Sequence, residues 1–318
     1  MTRSGAFARL ASALLLAMFA LQTAQAQSNE DRSLAERLGY PSDAKLLIVH
    51  ADDIGVAHSV NAATIELFEK GAITSGSIMV PCPWFPEIAA HAREHADMDL
   101  GIHLTLTSEW QHFRWGPVLP ADSVPSLVDG NGFLHPTTEA AASRIDPGEA
   151  EAEMRAQVDR AIAFGITPTH LDSHMAVLFQ TPALFEAYLR VGRDYHLPVL
   201  IPGDQMRAQA PRLLELTTAD DIVIDRVEIA TPAIAAEGWD AFYTGLLENL
   251  EPGVTQIIIH AAHDDAEMRA VTIGQVDYGS AWRQRDFDYF AGEEFRKLVE
   301  RHGVKLITWR EIRDRLLK

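Results

Sequence analysis

Three short apolar runs in this chain end in carboxylates or imidazoles. The first closes with Val49-His50-Ala51-Asp52-Asp53-Ile54-Gly55, the second is Leu100-Gly101-Ile102-His103-Leu104-Thr105-Leu106-Thr107, and the third is Thr169-His170-Leu171-Asp172-Ser173-His174. Each has the length and apolar content of a buried strand. One such run could be chance. Three imply a parallel sheet or barrel that gathers Asp and His around a metal, because such folds place their active sites at the C-terminal ends of their strands. A metal-dependent hydrolase is therefore the first hypothesis.

The rest of the chain alternates in the same way. Strands are expected at 45–50, 75–80, 99–107, 169–173, 198–201, 221–229, 253–260 and 304–308. Helices are expected at 61–70, 84–95, 149–164, 182–194, 239–250, 286–302 and from Arg310 onward. Gly71, Gly165 and Gly303 stand where helices stop. This alternation predicts an α/β parallel architecture. A barrel is favoured over an open sheet because chemical residues recur at strand ends along the whole chain. The exception is an irregular stretch, 108–147, with Trp110, Phe113, Trp115 and Phe133 among turn residues. Structureless stretches this long within a compact domain are usually functional.

The N-terminus reads as a signal peptide, residues 1–26. Arg3 and Arg9 supply the positive region, Leu10 to Leu21 is apolar and uncharged, and Ala24-Gln25-Ala26 is a small-x-small cleavage site. The mature chain is expected to begin at Gln27 and to be periplasmic or secreted, with no stable membrane span once the signal is removed. The apolar run is short for a span of about 20 residues. Residues 27–44 form a lead-in, and 45–318 a single barrel domain with an insertion at about 108–147.

The balance is acidic, 27 Lys and Arg against 45 Asp and Glu, a formal net charge of −18. Such a field repels nucleic acid and anionic lipid. A polyanionic substrate would need a local basic pocket, and the sequence offers none. Cys82 is the only cysteine, so the domain has no internal disulfide; it reads as a small buried apolar residue.

Asp52 and Asp53 would face opposite ways in a continued strand. Both reach one site only if the strand ends there, and Gly55 permits a sharp turn. One carboxylate could then bind a metal while the other takes a proton from water. His103, Thr105 and Thr107 share one strand face, as do His170, Asp172 and His174. Not all of the latter three need be ligands, since one can orient another through its free ring nitrogen. Two imidazoles and one carboxylate on one side of a metal leave positions open for water and substrate. In His260-Ala261-Ala262-His263 a histidine could act as general acid, and His260 is preferred over His263 because it closes the strand directly. His58, His91, His95, His112, His135, His196 and His302 read as exposed helix or loop positions. There is no Gly-x-Ser-x-Gly elbow, no phosphate-binding Gly-Lys loop and no His-Glu-x-x-His helix.

With these residues in place the chain resembles the YdjC-like family of carbohydrate deacetylases, also called the ChbG/HpnK deacetylases. The resemblance runs from about Lys45 to the C-terminus. It is carried by Ala51-Asp52-Asp53-Ile54-Gly55 with Val60-Asn61, by Gly71-Ala72-Ile73-Thr74-Ser75, by Asp99 to Thr107, and by Pro168 to His174. It implies an irregular (β/α) barrel of the polysaccharide-deacetylase type, and removal of acetyl groups from N-acetylated sugars with one divalent ion, zinc or magnesium. Carried over by position, Asp53, His103 and His174 would hold the metal, Asp52 would be the base and His260 the acid. The chain departs from the family at Ile54 (often Phe), Thr105 (often Asn), Ala176 (often His) and Ala261-Ala262 (where Pro-Gly is usual). On this reading Trp110 and Trp115 either stack on sugar rings or pack the insertion down. Two rivals remain: a metal hydrolase of another ester, phosphoester or amide, and a non-catalytic carbohydrate-binding barrel.

Overall fold

The computed structural model describes residues 32–317. The expected signal peptide, its cleavage point at Gln27 and the first residues of the lead-in lie outside these. The described part of the lead-in holds one helical turn, Leu34–Arg37, closed by a reciprocal capping box between Ser33 and Glu36.

Nine strands follow among the described residues: β1 (Lys45–Ile54), β2 (Ser75–Ile78), β3 (Leu100–Leu104), β4 (Leu171–Ser173), β5 (Ile201–Pro202), β6 (Val223–Ile224), β7 (Arg226–Ile229), β8 (Gly253–Ile259) and β9 (Lys305–Leu306). All of their pairings are parallel. The main sheet runs β4-β3-β2-β1-β8-β7, and β5 and β6 pair separately. The gap between β4 and β7 is crossed irregularly. Leu171 donates to Pro198 O and accepts from Leu200 N, and the chain then enters β5. β6 leads through Asp225 directly into β7. The result is the expected irregular (β/α) barrel. β1 also serves two neighbours along one edge: β9 pairs at Leu46 and Leu47, and β2 takes over from His50.

Side-chain alternation gives this barrel a graded interior. One face of β1 reads Leu46, Ile48, His50, Asp52, apolar at the start and polar at the C-terminal end. On β8 the row Val254, Gln256, Ile258, His260 also ends in a polar group. Leu46, Ile48 and Val254 pack with Leu34, Leu38, Trp309 and Ile312, which close the N-terminal end. The opposite face of β1 (Leu47, Val49, Ala51) packs with Ile257 and Ile259 of β8 and with Trp239, Tyr243 and Phe290 from the surrounding helices. Burial on both faces is what a parallel barrel strand requires.

Several elements differ from the sequence reading, each for a local reason. The third strand stops at Leu104, where the Gln157 side chain takes over as Thr105's partner: Thr105 N donates to Gln157 Oε1 at 2.9 Å and Gln157 Nε2 donates to Thr105 O at 2.8 Å. The expected strand 221–229 breaks at Asp225, whose carboxylate accepts from Val254 N at 2.7 Å. The expected helix 286–302 is two helices, Ser280–Ala291 and Glu293–Arg301, separated by extended Gly292. Segment 108–147 is not wholly irregular, since it contains a turn of 3-10 helix, Pro125–Leu127, and a helix, Thr138–Arg144. It is tied down by the buried Glu153 carboxylate, which accepts from Val118 N and Leu119 N at 2.8 and 3.0 Å. His135 is buried there and reaches Ser126 O at 2.9 Å, which corrects its expected exposure.

Candidate metal centre and cleft

The Asp52–Asp53 pair poses a geometric problem that the backbone solves at Asp53. β1 does not end at Asp52. Its register with β2 slips between Ala51 and Ile54, and Asp53 adopts a left-handed φ of 64°. A bulge of this kind puts one extra residue on β1 and breaks the alternation, so both carboxylates reach the same end of the barrel. For a non-glycine residue this conformation costs roughly 1–2 kcal/mol, and Asp is among the side chains that tolerate it. Gly55 follows with φ 92°, and its N–H donates to Asn61 Oδ1 at 2.7 Å.

Asp53, His103 and His174 then converge. Asp53 Oδ1 lies 3.4 Å from His103 Nε2 and 3.4 Å from His174 Nδ1, and the two ring nitrogens are 3.2 Å apart. All three residues are buried. Asp53 Oδ1 finds no hydrogen-bond donor of good geometry among the described residues. Three donor atoms at this spacing suit an ion with bonds of roughly 2.0–2.2 Å. The residues therefore fit a divalent cation.

Each imidazole is held at its other nitrogen by a carboxylate. His103 Nδ1 meets Asp172 Oδ1 at 2.6 Å, its register partner on β4. His174 Nε2 meets Glu109 Oε2 at 3.0 Å. Burial alone would push the His103 pKa down, but the Asp172 and Asp52 carboxylates outweigh it and hold it well above the usual value. Burial likewise opposes protonation of His174, and the charges of Glu109 and Asp53 raise it to about 9. Asp53 is the converse: burial disfavours its charge, while the Arg283 guanidinium and the imidazoles hold its pKa well below the carboxylate range.

Arg283 was not legible in the sequence. It is buried, and Nη2 donates to Asp53 Oδ2 at 2.6 Å. Nε donates to Tyr278 O at 2.7 Å, and the guanidinium lies 5.6 Å from the Trp110 ring centre. Asp52 instead has a histidine partner: His50 Nε2 stands 3.1 Å from Asp52 Oδ1 and 3.1 Å from Asp172 Oδ2.

His260 Nε2 sits 4.0 Å from Asp52 Oδ2 and 3.9 Å from Asp53 Oδ2. Its backbone N–H donates to Asp286 Oδ2 at 2.9 Å. Burial pushes its pKa down to about 4 against the pull of Asp53 and Asp52, so the ring rests neutral. His263 lies apart, 3.7 Å from Glu66. His170 is a core residue rather than part of the convergence. Its ring stacks on Trp309 at 4.9 Å, over Gly101, where a Cβ would come within 2.4 Å of it.

The site opens into a cleft of about 560 Å³. Trp110, Met175 and Ile229 form apolar walls; Gln205, Gln275 and Asp277 supply polar groups. Arg283 is the one Lys or Arg lining it among the described residues. Trp110 thus faces the cleft, whereas Trp115 packs the segment down, with Nε1 donating to Thr107 O at 2.8 Å. Cys82 is buried, as expected.

Barrel and site together define a single-domain α/β protein whose Asp and His side chains cluster, at the C-terminal ends of its strands, closely enough to bind a metal ion. Residues 46–301 match the family model described as YdjC-like protein, and the chain belongs to that family. It is 32% identical to a carbohydrate deacetylase of Thermus thermophilus over 89% of this chain and 99% of that protein. It is 37% identical to a carbohydrate deacetylase of Brevibacillus brevis over 84% of this chain and 99% of that protein. A crystal structure of an Enterococcus faecalis protein superposes with a TM-score of 0.72 at 26% identity, covering 85% of this chain and 99% of that one.

Proposed function

We propose that this chain is a metal-dependent carbohydrate deacetylase that hydrolyses the acetamide of an N-acetylated sugar or oligosaccharide. The observation that carries the reading is the donor set of Asp53, His103 and His174, with Asp52 Oδ2 and His260 Nε2 held 4.0 Å apart beside it. The substrate class is supported by family membership and by the relatives' names.

Asp53 Oδ1, His103 Nε2 and His174 Nδ1 would hold one divalent ion, zinc or magnesium. When bound, that ion supplies Lewis acidity, polarising the amide carbonyl and acidifying water. Asp52 takes the proton of the attacking water. Arg283 occupies Asp53 Oδ2 and leaves Oδ1 free for the ion. His260 gives a proton to the departing nitrogen, since amines leave poorly unprotonated. Because His260 rests neutral, that proton must reach it during the cycle. Asp52, 4.0 Å away, is the nearest group that acquires one, within reach through a single water.

The test is metal content together with acetate release from N-acetylglucosamine oligomers. Phosphate released from a phosphoester in place of acetate would make it a different hydrolase. Sugar binding without any product would leave a non-catalytic barrel. We also propose export to the periplasm or beyond, on the Arg-flanked apolar run and the Ala24-Gln25-Ala26 site. N-terminal sequencing of the cell product should find Gln27 first, and an intact Met1 would refute it.

A further inference from the structure

We propose that Glu109 is a positioning residue, holding the His174 imidazole so that Nδ1 faces Asp53 and His103. The inference rests on the metal reading above and adds a residue to it. The third donor of the centre would then be set from segment 108–147 rather than from the barrel.

The three donors are not held alike. Asp53 is fixed by β1 and by Arg283. His103 lies within β3, and its Nδ1 is gripped by Asp172 across the sheet at 2.6 Å. His174 comes one residue after β4, at the start of a turn in which Met175 and Ala176 have left-handed φ of 52° and 54°. No strand pairing fixes its side chain. The contact at its outer nitrogen is Glu109 Oε2, 3.0 Å from Nε2. An acceptor there keeps a proton on Nε2 and turns the Nδ1 lone pair inward, and it raises the basicity of the ligand nitrogen.

Glu109 is itself fixed by its neighbours. Ser108 N donates to His135 O at 2.9 Å. Ser108 Oγ accepts from Trp115 N at 3.0 Å and Arg114 Nε at 3.1 Å. The same segment also holds the turn beyond His174, since Thr138 Oγ1 donates to Met175 O at 3.1 Å. One segment therefore clamps both the imidazole and the loop that carries it.

The experiment uses the metal alone as probe. Glu109→Ala, Glu109→Gln, Asp53→Ala and the unmodified protein are stripped of metal, and zinc affinity is measured by competition with a chromophoric chelator. Melting is recorded in parallel on the stripped proteins. Glu109→Ala should weaken zinc binding by about 10- to 100-fold with little change in melting of the stripped protein. Glu109→Gln still offers an oxygen to Nε2–H and should recover most of that loss. The proposal is overturned if Glu109→Ala binds zinc like the unmodified protein, if Glu109→Gln fails to recover affinity, or if any loss only follows a fall in melting. Asp53→Ala separates the two levels. If it keeps zinc, the metal reading fails and the proposal with it. If it loses zinc while Glu109→Ala keeps it, only the role of Glu109 is wrong.

Discussion

Replacing each member of the Asp52–Asp53 pair by Asn should give two different failures, because the two carboxylates have different partners. Asp53 is the counter-ion of Arg283, which is 1% exposed. Asp53→Asn leaves that guanidinium buried beside a neutral amide, and breaking a buried pair from one side costs about 3–5 kcal/mol. At roughly 2–4 °C per kcal/mol for a chain of this order, melting should fall by about 6–20 °C. The comparison belongs in chelator, since bound metal adds its own stabilisation to whichever protein keeps it. Asp53→Asn should also lose metal. Asp52→Asn disturbs less: His50 keeps Asp172 at 3.1 Å, so the stability cost should be about 1 kcal/mol. It should retain metal while turnover drops about a hundredfold or more, the scale of lost general-base help. Metal content, melting and acetate release are measured on the same preparations. If Asp52→Asn loses metal and Asp53→Asn keeps it, the roles are reversed. If Asp52→Asn stays fully active, the general-base step is wrong. If Asp53→Asn melts with the unmodified protein in chelator, the burial argument for Arg283 fails.

Three further outcomes follow from the same structure. Burial raises the Asp286 pKa to about 6, although Tyr243, Trp239 and the His260 N–H all donate to it. A carboxyl with a folded pKa above its unfolded one loses stability as pH rises between the two. Relative to Asp286→Asn, the unmodified protein should therefore lose about 2 kcal/mol from pH 4 to 6, out of about 3 kcal/mol over the whole titration, and change little above pH 7; denaturant melts from pH 4 to 6 that run parallel would contradict this. The one Arg or Lys lining the cleft among the described residues is already paired with Asp53, so 6-phosphorylated N-acetylglucosamine oligomers should show at least about tenfold lower kcat/KM than neutral ones, a gap that narrows with salt; equal rates would point to a cation outside this lining. In Gly101→Ala the new Cβ would meet His170 ring atoms at 2.4–2.6 Å, with Trp309 stacked on that ring, and overpacking should cost about 1–3 kcal/mol in a urea melt, whereas an unchanged midpoint would mean that the ring can move away.

What can be read from the sequence is local. A strand announces itself within a few residues through its apolar run, so the runs alone place Asp53, His103 and His174 at strand ends. The way Asp52 and Asp53 share a site is not legible there. The sequence reading ends the strand at this point, whereas the backbone inserts a bulge with Asp53 left-handed, and Asp at that position gives only a weak hint of this. Glu109 lies in a stretch with no period to read, and His135 reads as a loop histidine although the folded segment buries it. Arg283 is the hardest, since it stands 230 residues from its partner, just ahead of the expected start of its helix. Yet Arg283 is what makes the two neighbouring aspartates unlike. It binds one oxygen of Asp53, keeps that carboxylate charged, and leaves the other oxygen without a donor of good geometry among the described residues. Asp52 has no such guanidinium among the described residues; the His50 imidazole and the Ser77 hydroxyl lie against it instead. Adjacent identical residues thus acquire different partners, one of them from the far end of the chain, and the same pairing leaves no unpaired Lys or Arg lining the cleft among the described residues.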